Sequence, residues 1–147
     1  MLKRLLLIFF FSGSLDSNAQ CDPSTMVFSL SPGITQSGAS FAMEGGIWPI
    51  AGKLGVMAGP VMYDEKRNTG KGDEKLTQLD FSGRVIYKLT RTGSDHPQLI
   101  TVFGTVRGVV GVSYRAYRSI GENALVGIEP VVSRLGVGVN LIFTGRL

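Results

Sequence analysis

Six charged side chains carry most of the chemical interest in this sequence: Glu44, Asp80, Arg84, Arg107, Arg115 and Glu129. Three are carboxylates and three are guanidinium groups. A charge withdrawn from water needs a partner of opposite sign. The set therefore reads first as a salt-bridged network that lets a narrow interior fold. A solute path or gate is the functional alternative. Other residues that could do chemistry are sparse. His96 is the only imidazole and lies in Ser94-Asp95-His96-Pro97. A Ser/His pair of this kind would suit a lipid-modifying enzyme, but adjacency in a turn-like segment does not supply catalytic geometry. Gly70-Lys71-Gly72 lacks the spacing of a phosphate loop, and no nucleophile-elbow pattern occurs. One Cys and one His leave no disulfide, no Cys-based zinc site and no multi-histidine centre. The chain is thus expected to be no enzyme and to need no cofactor or metal.

The N-terminus reads as an address. Lys3 and Arg4 precede an apolar run from Leu5 to Phe11, and Ser17 and Ala19 are the small residues of a cleavage site. The expectation is a signal peptide over 1–19 and one domain over 20–147. The apolar run is too short for a membrane-spanning helix. Cys21 follows Asn18-Ala19-Gln20, a poor match to a lipoprotein signal, and is expected to be a free thiol. The formal charge is +4, without an Arg/Lys cluster or stacking motif, so no nucleic acid is expected as a partner.

Positioning of the six charges falls to strands. No helical periodicity stands out, whereas period-two alternation recurs. Between Thr77 and Leu89, Leu79, Phe81, Val85 and Tyr87 share one face, and Gln78, Asp80, Ser82, Arg84 and Lys88 the other. Similar segments cover 26–33, 40–47, 53–62, 99–107, 110–117, 126–133 and 135–143, which makes eight strands. Residues 98–118 divide into two strands near Gly108, with one long bent strand as the alternative. Segment 64–75 is the most charged connection and reads as a solvated loop.

The two faces differ in an informative way. The greasy face carries almost no charge over eight strands. The other face is rich in Gly, Ser and Ala, with few, mixed charges. Glycine alone contributes 20 of 147 residues. Small residues suit the crowded interior of an eight-stranded barrel, and absence of charge suits contact with hydrocarbon. The fold class expected is all-β: an eight-stranded antiparallel up-and-down transmembrane β-barrel following a cleaved signal peptide. Trp48 beside Pro49 reads as an interface anchor, and Tyr63, Tyr87, Tyr114 and Phe143 as parts of an aromatic girdle.

With these features the whole chain resembles the small eight-stranded outer-membrane β-barrels of Gram-negative bacteria. The signal peptide, the Gly-rich alternating segments and the last strand, Gly136-Val137-Gly138-Val139-Asn140-Leu141-Ile142-Phe143, carry the resemblance. Such proteins usually end at the aromatic residue, whereas Thr144-Gly145-Arg146-Leu147 follow it here. The resemblance implies an outer-membrane location, a structural or interaction role and a side-chain-filled lumen. It implies outer-membrane lipid and the barrel-assembly machinery as partners, with an extracellular partner possible through loop 64–75. The alternative is a soluble periplasmic β-sandwich or lipocalin-like binder of a small apolar ligand.

Overall fold

A computed structural model describes residues 25–50, 53–90 and 96–147. The expected signal peptide, Cys21, Ser94 and Asp95 lie outside the described residues. The chain forms eight strands: β1 (Thr25–Thr35), β2 (Gly38–Ile50), β3 (Leu54–Asn68), β4 (Asp73–Lys88), β5 (Gln98–Thr105), β6 (Val110–Ser119), β7 (Ala124–Ser133) and β8 (Gly136–Arg146). Each pairs antiparallel with the next, and β1 pairs with β8, closing an up-and-down barrel. Closure is written in register: Leu30 faces Phe143 and Val27 faces Arg146 across the β1–β8 seam. Every strand thereby has two neighbours and no edge runs the length of the sheet.

Residues 98–118 do form two strands. Gly108 sits at φ +83° in the turn between them, a left-handed conformation that a side chain would strain. Segment 64–75 differs from the expected loop. β3 runs on to Asn68 and β4 starts at Asp73, so most of this stretch is a paired hairpin whose turn is residues 69–72. The reason is that polar side chains do not prevent ladder pairing, and here they support it. Asp64 accepts hydrogen bonds from the Thr77 hydroxyl (2.8 Å) and the Ala39 N–H (3.0 Å). Lys75 approaches the same carboxylate at 3.2 Å.

Alternation sorts the side chains radially, with an apolar face outward and a mixed face inward. Val85, Val102, Ile128 and Leu141 point outward, each more than half exposed. Glu44, Arg115, Glu129, Ser29 and Thr101 point inward and are fully buried. Inward glycines make room for them. A Cβ on Gly46, Gly59 or Gly127 would overlap the backbone carbonyl of Val56, Met43 or Ala116, and one on Gly111 would meet the Phe103 ring. A Cβ on outward Gly83 would meet nothing.

Candidate functional site

The lumen is layered along the barrel axis. Toward the end where β1 begins and β8 finishes (the terminal rim), Val27, Trp48, Met57, Ile86, Leu99, Tyr117, Leu125 and Ile142 form one buried apolar cluster. Trp48 is therefore an interior residue, 5% exposed, and not the interface anchor that its neighbour Pro49 suggested. It follows Glu44 and Gly46 on the inward-facing alternation of β2, and the register shift lies beyond Ile47. Its ring lies 6.3 Å from that of Tyr117, with the Lys88 ammonium and the Arg146 guanidinium over it at 5.9 and 5.8 Å.

Above this plug stand Glu44 on β2, Arg84 on β4, Arg115 on β6 and Glu129 on β7. Arg84 donates from Nε to both Glu44 oxygens at 3.0 Å, and from Nη1 to Glu129 Oε1 at 2.6 Å. Arg115 donates from Nη2 to Glu44 Oε2 at 3.1 Å and from Nε to Glu129 Oε1 at 2.8 Å. Each carboxylate is thus bridged by both arginines, so signs alternate around the ring and the charges sum to zero. Hydroxyls and an amide fill the remaining acceptor positions. Ser82 donates to Glu44 (3.2 Å), Ser113 donates to Glu129, and Asn140 Nδ2 donates to Glu129 Oε2 (2.9 Å). Arg84 also donates to Thr101 (2.7 Å) and stacks over the Phe103 ring at 4.8 Å. Ser82, Thr101, Ser113 and Asn140 were not singled out in the sequence. The signal for them was present: each shares the alternation phase of a charged residue on its own or an adjacent strand.

Two of the six sequence candidates fall outside this ring. Asp80 keeps the inward phase of Arg84 but lies four residues farther up β4. There its carboxylate accepts from the Tyr63 hydroxyl (3.1 Å) and the Arg107 backbone N–H (3.2 Å). Arg107 lies in the β5–β6 turn, beyond the last residue of β5, and its side chain is exposed. Tyr63, expected in the outer girdle, points into the lumen and is 3% exposed. His96 is exposed, just before β5.

Between the ion ring and the far rim lies a cavity of about 60 Å³, lined by Ser31, Ser40, Tyr63, Phe103 and Asn140 among others. The ring forms its floor through Glu44 and Arg84. Among the described residues, no three His, Cys, Asp or Glu side chains converge as metal ligands. Both ring carboxylates are held by two guanidinium groups each. The arrangement cross-links four strands across the lumen, and it presents neither carboxylate as a general base. No protein-family model and no curated protein sequence matches the chain.

Proposed function

We propose that this barrel spans the outer membrane of a Gram-negative cell and serves a structural or interaction role, with a lumen closed by its own side chains. The polarity of the two faces carries the reading. An apolar surface of this extent on a protein in water is an aggregation liability or an interface. In hydrocarbon it is the required surface, and only helices and closed barrels leave no backbone group unsatisfied there. The apolar column on β4 from Leu79 to Tyr87, continued by Leu89 just past the strand, spans ten residue steps. At ~3.3 Å per residue and a tilt near ~45° it covers ~23 Å, close to the ~25 Å apolar band of such barrels. Tyr87, Tyr114 and Phe143 project outward near the terminal end, where an aromatic girdle belongs.

Eight strands bring the start of β1 and the end of β8 to one rim, which the reading places in the periplasm. The β3–β4 hairpin then extends on the extracellular side and offers the surface for a partner. In the same reading β8, which runs through Phe143 to Arg146, is the strand presented to the barrel-assembly machinery. The periplasmic binder of a small apolar ligand is the weaker alternative. It calls for a ligand-sized space inside the barrel, and this lumen is crossed by an ion ring and holds a cavity of about 60 Å³.

Fractionation tests the proposal. After osmotic shock and carbonate washing, the protein is expected in the outer-membrane pellet, with gel migration that changes on boiling. Release with the periplasmic contents would overturn it.

A further inference from the structure

The two rims of the barrel differ in charge pattern. Around the β3–β4 hairpin, cations are interleaved with Asp64, Glu65, Asp73, Glu74 and Asp80. At the terminal rim, Lys53, Lys88, Arg118 and Arg146 meet a single side-chain carboxylate among the described residues, Glu122. Lys88 and Arg146 are directed under the lumen, over the Trp48 ring. Arg118 is different. It follows inward-facing Tyr117, so it lies on the outward face of β6, where it is exposed and forms no ion pair among the described residues.

The residues beside it are suited to a membrane interface. Register places Tyr87, Ile100 and Tyr114 on one rung across β4, β5 and β6, and Gln98 opposite Ala116 one pleat nearer the rim. Arg118 comes one pleat farther still, opposite Val126 of β7. Passing outward from the apolar belt, this sector presents two tyrosines, then an amide, then a guanidinium. Tyrosine settles at headgroup depth because its ring is apolar and its hydroxyl is wet. Arginine matches the two free oxygens of a phosphodiester with a planar fork.

We infer that the outward face of β4–β6 at the terminal rim binds the headgroup of an anionic phospholipid, with Arg118 on the phosphate and Gln98, Tyr87 and Tyr114 around it. The inference rests on the bilayer reading above. It adds a preference among lipids, which the apolar belt alone does not give. A basic side chain near an anionic surface contributes about fivefold in affinity.

The full chain, folded into phosphatidylcholine vesicles with and without phosphatidylglycerol, is extracted gently, and the retained lipid is measured by native mass spectrometry. The wild-type barrel is expected to retain phosphatidylglycerol over phosphatidylcholine. Arg118→Gln is expected to lower that preference about fivefold. Arg134→Gln, at the opposite rim, is expected to leave it unchanged. Arg118 is exposed, so its variant should keep heat-modifiable migration, which is checked in parallel. An unchanged preference in Arg118→Gln overturns the inference, as does an equal loss in Arg134→Gln, which would indicate bulk charge only. Failure to insert into either kind of vesicle would instead overturn the bilayer reading on which the inference rests.

Discussion

Arg84 on β4 reaches across the lumen to Glu129 on β7, with Nη1 to Oε1 at 2.6 Å and both side chains withdrawn from solvent. The two residues lie 45 positions apart in the chain, on strands separated by two others. This contact ties opposite walls together, and Arg115 and Glu44 complete the ring. A buried pair is costly to assemble and costlier to break, because removing one member leaves the other's charge without a partner.

Glu129→Gln should therefore destabilise the barrel by roughly 3–5 kcal/mol, read as a lower urea midpoint for unfolding from vesicles. Replacing Glu44, Arg84, Arg115 and Glu129 together with apolar residues of similar volume should recover most of that loss. A quadruple variant less stable than Glu129→Gln would show that the ring contributes net stability.

The outward face offers a direct test of its surroundings. Val102→Arg, in the middle of the apolar belt, should cost ~2–4 kcal/mol in vesicles, whereas Val106→Arg at the rim should cost ~0–1 kcal/mol. Both valines are already exposed, at 57% and 81%, so a barrel surrounded by water would tolerate both changes equally.

Inward and outward glycines should respond in opposite ways. Gly59→Ala drives a methyl group into the Met43 carbonyl and should cost ~1–3 kcal/mol. Gly83→Ala places its methyl in open space and should change the unfolding midpoint little.

Trp48 is the sole tryptophan, so its fluorescence is unambiguous. Because it is enclosed in the lumen, brominated lipid should quench it weakly. Strong quenching by bromines placed at interface depth would contradict the inward orientation.

Acid should loosen the hairpin. The Thr77 hydroxyl, the Ala39 N–H and Lys75 hold the Asp64 carboxyl below the ordinary aspartate value of 3.8. The folded value is thus below the unfolded one. The stabilisation is present above pH 3.8 and is lost as pH falls through the folded value. Amide exchange at Ala39 should accelerate over that range, and Asp64→Asn should remove the acid dependence. An identical acid response in the variant would assign it to another group.

Much of the fold was legible because a strand exposes its pattern directly. In β4, Leu79, Phe81, Val85 and Tyr87 declare one face, and Ser82 and Arg84 the other. Two aromatic residues obey the same phase against the expectation from their neighbours. Trp48 shares the phase of Glu44, yet proximity to Pro49 suggested an interface. Tyr63 shares the inward phase of Met57, although its place near a strand end suggests the girdle. The hairpin was obscured for another reason: charged residues such as Glu65 and Lys66 resemble loop composition, while their backbones pair through the register that continues from Asp64 opposite Thr77.

The sequence by itself determined the eight strands, their apolar and mixed faces and the need for small residues inside. These follow from a two-residue period that is local to each strand. The tertiary structure decided which charges meet. Alternation specifies the face of a residue but not its height along the barrel or the strand opposite it. Height comes from the stagger between strands, and opposition comes from closure of β8 on β1. Glu44, Arg84, Arg115 and Glu129 share one level and neutralise one another. Asp80, on the same face of β4 as Arg84, stands at the rim with Tyr63, and Arg107 lies beyond its strand.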